Sequence, residues 1–248
     1  MSMACAQKAE GPDLTRFAAI RAWIFDLDNT LYPRHSNLFA QVDARIRDYV
    51  RRRLSLEAGA AQSLQRDYYR RYGTTLRGLM VEHGIEPGDF LDYVHDIDHS
   101  PVLPDPILAG ALARLPGRRY ILTNGSRAHA DKVLARLGLG PEFDDVFDIV
   151  RADLVPKPHP DTYARFIAET GIDPLEAAMF EDLARNLEVP KALGMTTVLV
   201  VPRETEPALA EAWETAGGDG AHIDVLTDDL GALLVRIVDA FFPRMSAS

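Results

Sequence analysis

Short apolar runs that alternate with amphipathic stretches constrain this chain more than any other feature. The first run, Trp23-Ile24-Phe25, is followed by Tyr120-Ile121-Leu122-Thr123, Val146-Phe147-Asp148-Ile149-Val150, Ala177-Ala178-Met179-Phe180 and Thr196-Thr197-Val198-Leu199-Val200-Val201. Each is too short for a helix, and most are rich in β-branched or aromatic residues, as buried strands are. Between them, 126–137 carries Ala130, Val133, Leu134 and Leu137 at helical spacing and stops at Gly138. Residues 161–170 carry Tyr163, Phe166 and Ile167 and stop at Gly171, and 183–193 stop at Gly194. A glycine at that point is a common helix terminator. A short strand at 223–226 and a helix at 228–242 close the pattern. Strand and helix alternating in this way predict an α/β fold, a parallel sheet with helices on both faces.

Residues 36–100 break the alternation. Phe39, Val42, Ile46 and Val50 recur at steps of three and four, which is an amphipathic helix. Helices are also expected over 56–72, 75–83 and 87–96, with Gly84 between the last two. Pro101, Pro104 and Pro106 mark the exit. The expected organisation is a core of 18–34 and 101–245 with an all-helical subdomain, 35–100, inserted after the first strand.

Charge narrows the partners. A formal net charge of −10 argues against nucleic acid or an anionic membrane surface. A small anionic substrate stays open, because a metal and a few donors can invert the field inside one cleft. The one cysteine, Cys5, cannot form an internal disulfide, and residues 1–17 lack the apolar core of a signal peptide. No stretch approaches the ~18 apolar residues of a membrane span. A cytoplasmic location is expected.

The first strand ends in Asp26 and Asp28, one residue apart. In extended backbone both carboxylates face one spot. Like charges that close need a cation between them or a proton on one of them. The pair therefore predicts a metal site, an acid/base pair, or both. Ligands of open parallel sheets bind beyond the carboxyl ends of the strands. There the chain also places Thr123-Asn124-Gly125-Ser126, Glu181-Asp182 with Asn186 nearby, and Lys157 in the loop Val155-Pro156-Lys157-Pro158-His159-Pro160. These parts fit phosphoryl transfer. Asp26 would be a carboxylate nucleophile, and Asp28 would protonate the leaving oxygen and later deprotonate water. Mg²⁺ would neutralise the approach of carboxylate to phosphate, with Asp182 as a second carboxylate ligand and Glu181 or Asn186 around it. The Thr123 hydroxyl and the Asn124–Gly125 amides suit an anion, and Lys157 is a point charge for the phosphoryl group.

Asp26-Leu27-Asp28-Asn29-Thr30-Leu31, Thr123-Asn124-Gly125, Lys157-Pro158 and Glu181-Asp182 with Asn186 resemble, in order, the four motifs of the haloacid dehalogenase superfamily. The resemblance covers about 21–240 and implies a Rossmann-like core with a type-1 helical cap. The stretch 26–33, Asp-Leu-Asp-Asn-Thr-Leu-Tyr-Pro, is similar to the pyrimidine 5′-nucleotidase branch, as are 72–79 and 92–100. The resemblance implies that Asp26 is nucleophile and Mg²⁺ ligand, and that Asp28 is acid/base and a ligand through its backbone carbonyl. It implies that Thr123, Asn124 and Lys157 hold phosphate and that Asp182 completes the metal site. Glu181 and Asn186 depart from the usual residues at their positions, which leaves open which acid touches the metal.

Specificity would come from the cap. Tyr32, His35 and Asn37 lie just past the catalytic loop, and His95 and His99 near the cap exit. Tyr68, Tyr69 and Tyr72 sit at helical spacing and suit cap core or base stacking. The expected activity is a Mg²⁺-dependent phosphomonoesterase acting through an aspartyl-phosphate, on a small phosphorylated metabolite, with a pyrimidine nucleotide such as UMP or CMP favoured by the resemblance. The alternatives are a sugar phosphate or phosphoglycolate phosphatase, a phosphomutase, a dehalogenase, and a catalytically silent binding protein. Asp28 speaks against a dehalogenase, since carbon–halogen displacement needs neither proton donor nor metal.

Overall fold

The computed structural model describes residues 13–202 and 220–243. Cys5 and the extreme C-terminal tail lie outside them. Six strands form one parallel sheet: β1 (Ala22–Phe25), β2 (Arg118–Leu122), β3 (Asp145–Phe147), β4 (Ala177–Glu181), β5 (Thr196–Val200) and β6 (Val225–Thr227). Their order is β3-β2-β1-β4-β5-β6. The chain runs outward from β1 to β3, then restarts on the other side of β1 with β4. That reversal opens a crevice between β1 and β4 at their carboxyl ends.

Successive β1 residues face opposite ways. Trp23 and Phe25 enter one hydrophobic cluster with Ile121, Phe180 and Val198. It is covered by α5 (Pro106–Leu112), α6 (Arg127–Leu137) and α9 (Leu230–Phe241). Ala22 and Ile24 enter the other cluster, with Tyr120, Met179 and Leu199, under α7 (Pro160–Thr170) and the stretch leading into α8 (Glu188–Ala192). Phe25 and Phe180 stack at 4.6 Å between centroids. Phe17, just ahead of the expected core boundary, stacks on Trp23 at 6.2 Å and is fully buried.

Between β1 and α5 four helices form the insert: α1 (Leu38–Arg53), α2 (Ala58–Tyr72), α3 (Thr75–His83) and α4 (Pro87–Val94). They enclose their own apolar cluster, which includes Val42, Val50, Tyr68, Leu79, Phe90 and Val94. Gly78 of α3 lies against Tyr68 of α2: a Cβ there would stand 2.4 Å from the base of the Tyr68 ring. Gly78→Ala is therefore expected to destabilise these helices by about 1–3 kcal/mol, the usual cost of overpacking, read as a lower unfolding midpoint.

Two local expectations are corrected, and one helix is added. The run 146–150 is strand only to Phe147, because buried Asp148 accepts the Arg127 and Arg151 amides at 2.8 and 3.0 Å and turns the chain. The stretch 183–193 is not one helix: a 3₁₀ turn at Ala184–Leu187 precedes the short α8, with Pro190 inside it. The proline-marked exit contains α5, capped by Asp105, whose carboxylate accepts the Ile107 and Leu108 amides, with Pro106 at the first helical position. Among the described residues no helix is long and apolar enough to cross a membrane.

Candidate active site

Register brings the acids together. Phe25 of β1 pairs with Phe180 of β4, and the ladder continues one step, with the Asp26 amide donating to the Phe180 carbonyl at 2.9 Å. Asp26 therefore stands beside Glu181. Asp26, Glu181 and Asp182 each offer an oxygen within 4.8 Å of the others. The Lys157 ammonium sits between two of them, 2.7 Å from Asp26 Oδ1 and 2.8 Å from Glu181 Oε1, and is 1% exposed.

The electrostatics follow from crowding. Burial pushes the Asp26 carboxyl up to about 7; Lys157 opposes this, while Glu181 and Asp28 add to it. Burial and the charges of Glu181 and Asp26 likewise push Asp182 well above the usual carboxylate range. Burial opposes the Glu181 charge too, but Lys157 outweighs it, helped by the Leu183 amide at 2.8 Å and the Asn186 side-chain amide at 2.6 Å. Both Glu181 oxygens are thus occupied by protein donors. Asp182 pairs with Arg34 at 2.8 Å. Asn186 Oδ1 is buried without a hydrogen-bond partner.

This donor set fits a hard divalent cation, which takes carboxylate and amide oxygens. Asp26 and Asp182 are the carboxylates whose charge is least compensated. Glu181 is better described as the group that holds Lys157 and Asn186 in place. Four carboxylates, counting Asp28, face two permanent cations, Lys157 and Arg34, so a dianionic substrate would need further positive charge.

Asp28 is set apart from this cluster. Its Oδ1 accepts from the Tyr32 hydroxyl and lies 2.9 Å from His129 Nε2. Burial works against its charge, but His129 and Tyr32 prevail and hold it at about 2. An ionised carboxylate only accepts, so Nε2 of His129 carries the proton of that contact.

The other expected residues are placed as follows. Thr123 is buried in the cleft wall, with Oγ1 accepting the Gly125 amide at 2.9 Å. That amide is therefore spent within the turn. Asn124 also lines the cleft, but its side chain brackets Lys157, accepting its amide at 2.8 Å and donating to its carbonyl at 3.2 Å. It steadies the lysine loop from the cleft wall.

The specificity residues divide. Tyr32 is 2% exposed, packs in the core and points at Asp28 rather than into the cleft. His35 and Asn37 are exposed and lie outside the cleft lining; Asn37 adopts a left-handed φ of 58° at the start of α1. His95 does line the cleft, with Nδ1 3.0 Å from Ser126 Oγ. Among the tyrosines, Tyr68 is packed with its hydroxyl on His83 and Tyr72 bonds Glu82, whereas Tyr69 lines the cleft. The cleft encloses about 410 Å³ between the sheet edge and α1–α4.

His95 also gives a pH signature. Burial, reinforced by His129, lowers its pKa to about 3. The unfolded chain binds this proton below about 6.5, so the stability contributed by the neutral ring is present above that pH and is lost as pH falls towards 3. Stability is expected to fall more steeply from pH 7 to pH 4 in the wild type than in His95→Gln, measured by denaturant unfolding across that range.

Two residues at the site carried no expectation. Arg34 has no local companion in the sequence; only the fold sets it on Asp182. His129 had a usable signal. It lies on the buried face of α6 with Ala130, Val133, Leu134 and Leu137, and an imidazole on an apolar face needs a partner.

Fold and site together define an α/β protein with buried carboxylates gathered at the carboxyl edge of its parallel sheet. A model of the haloacid dehalogenase-like hydrolases matches residues 20–194, and the chain belongs to that family. It is 25% identical to "Phosphate metabolism protein 8" of Saccharomyces cerevisiae over 258 residues, 97% of this chain and 78% of that protein. It is 31% identical to "(S)-2-haloacid dehalogenase" of Xanthobacter autotrophicus over 206 residues, 77% of this chain and 78% of that one. A solved structure of a HAD phosphatase from Thermococcus onnurineus superposes with a TM-score of 0.55 at 18% identity, covering 91% of this chain and all of that one, a likeness of fold.

Proposed function

We propose that this hydrolase cleaves phosphate monoesters through a phosphoryl group carried on Asp26. The observation that carries this is the convergence of Asp26, Glu181 and Asp182 within 4.8 Å, with Lys157 between two of them. Displacement of halide from carbon needs a carboxylate nucleophile but neither an acidic trio nor an acid for the leaving group. Family relatives bear names of both kinds, so the residues around the nucleophile decide.

The chemistry assigns each side chain a task. An Asp26 oxygen attacks phosphorus as the bond to the leaving oxygen breaks, and Asp28, a carboxylate in the free protein, takes a proton from the bound monoester monoanion and passes it to that leaving oxygen. Asp28, then a carboxylate, takes a proton from water. The water oxygen attacks phosphorus, the bond to Asp26 breaks, and inorganic phosphate leaves with Asp26 restored. Lys157, itself buried, faces the charge that develops on the phosphoryl oxygens. Asp26 and Asp182, with Asn186 beside them, would hold Mg²⁺, which supplies charge neutralisation between carboxylate and phosphate.

The favoured substrate is a pyrimidine nucleoside 5′-monophosphate. The first motif and its extension through Pro33 support it, as does a cleft in the size range of small-ligand pockets, with Tyr69 and Phe39 offering aromatic surface and Gln62 and Arg66 polar contacts. The net charge of −10 favours a small metabolite over nucleic acid or membrane. The test is phosphate release by the purified protein with Mg²⁺, over nucleotides, sugar phosphates and phosphoglycolate, with halide release from 2-haloacids in parallel. UMP and CMP are expected to give the highest kcat/KM. Preference for another phosphate ester removes the nucleotide assignment; halide release without phosphate release removes the phosphatase.

A further inference from the structure

His129 is fully buried, yet it is committed on three sides. Nε2 meets Asp28 Oδ1 at 2.9 Å, and Nδ1 faces His99 Nε2 at 3.3 Å. One ring face is covered by His95, stacked at 4.5 Å and 15°. Ser126 joins the group, capping α6 through the His129 amide while its hydroxyl meets His95 Nδ1. A histidine needed only to fill the core would not require a cleft-lining carboxylate 101 positions away as its partner.

Both donors to Asp28, Tyr32 and His129, land on the same oxygen, Oδ1. The other oxygen, Oδ2, is the one left for chemistry, since Asp28 lines the cleft. Packing reinforces the aim. A Cβ on Gly125 would stand 3.3 Å from His129 Cδ2 and 3.7 Å from Asp28 Oδ2, so the loop fits closely over the pair.

We propose that His129 is a positioning residue for the acid/base Asp28: with Tyr32 it pins Oδ1, so that Oδ2 is presented to the leaving oxygen, and His95 and His99 hold the imidazole in that pose. Because His95 follows α4, and His99 lies between α4 and the core, the seating of the helical insert and the aim of Asp28 are one arrangement. The inference rests on the phosphomonoesterase assignment above.

The test compares leaving groups. An alkyl phosphate needs its leaving oxygen protonated; p-nitrophenyl phosphate, with a stabilised phenolate, needs this far less. Misaiming a general acid costs up to about 10²-fold. His129→Leu is expected to lower kcat/KM, which reports the phosphoryl-transfer step ahead of the hydrolysis common to both esters, roughly 10²-fold for the alkyl ester and by less than about tenfold for p-nitrophenyl phosphate. His129→Gln, which keeps an amide donor near the Nε2 position, should recover most of the alkyl-ester rate. Tyr32→Phe removes only a hydroxyl and should show the same leaving-group bias, which keeps the test decisive even if His129→Leu does not fold. Equal losses on both substrates, or no loss in Tyr32→Phe and His129→Leu, overturn the positioning role alone. A wild-type protein that hydrolyses neither ester overturns the phosphatase assignment itself, and the positioning role with it.

Discussion

Asp26→Asn is expected to abolish turnover while leaving the protein at least as stable as the wild type. The two halves of this result have one cause. Asp26 is buried beside Glu181, Asp182 and Asp28, and its carboxyl is pushed up to about 7. A carboxyl whose folded pKa is raised contributes stability below its unfolded value near 4, and loses it as pH rises through the folded one. At neutral pH its ionisation therefore works against folding. An amide of the same shape removes that charge, and its oxygen can still accept from Lys157, which lies 2.7 Å from Oδ1. Lys157 also keeps its pair with Glu181. The nucleophile, however, is gone, and loss of a covalent catalyst's nucleophile costs about 10⁴-fold or more. Unfolding midpoints and phosphate release on one preparation check both halves. A midpoint several degrees lower, with substantial residual turnover, would contradict the electrostatic account and the assignment of the nucleophile together.

Lys157→Met should do the reverse and damage both properties. The ammonium is the cation shared by Asp26 and Glu181. Burial alone would lower its pKa, but the two carboxylates prevail and raise it above the ordinary lysine value. Methionine fills similar space without charge. Two buried carboxylates would then lose their common partner, and breaking a buried pair from one side costs about 3–5 kcal/mol. Catalysis would lose the charge facing the phosphoryl oxygens, a further cost of about 10²–10³ in kcat. The stability deficit should shrink as pH is lowered and the carboxyls take up protons. Denaturant unfolding at pH 7 and pH 5 measures this; a deficit independent of pH would mean that lost packing, not charge, is responsible.

The central strands were legible in the sequence because β1 and β4 are buried on both faces, as β5 is beyond Thr196, and each reads as a short, largely apolar run. Their order was not, since nothing in a strand's composition states which neighbour it takes. The helices of the insert were legible from apolar spacing. Helix α5, which Pro106 begins just after the insert, had no such spacing signal in a stretch of seven residues. The acids were legible because Asp26 and Asp28 come just after β1, while Glu181 ends β4 and Asp182 follows it, and register does the rest. Side-chain roles that depend on distant partners were not. Tyr32 sits six residues from Asp26 and suggested substrate contact, but its hydroxyl is taken by Asp28. Asn124 suggested phosphate, and its second task, bracketing the Lys157 backbone 33 positions away, has no local signal. Arg34 reaches an acid 148 positions later, a pairing that exists only once β1 and β4 are adjacent.

The most direct measurement is rapid acid quench of the enzyme mixed with Mg²⁺ and a phosphate monoester it turns over, followed by peptide mapping. A phosphorylated peptide spanning β1 with the modification on Asp26, formed and lost at rates compatible with turnover and absent from Asp26→Asn, is the predicted result. Steady turnover with the phosphoryl group on another residue, or undiminished turnover by Asp26→Asn, would contradict it.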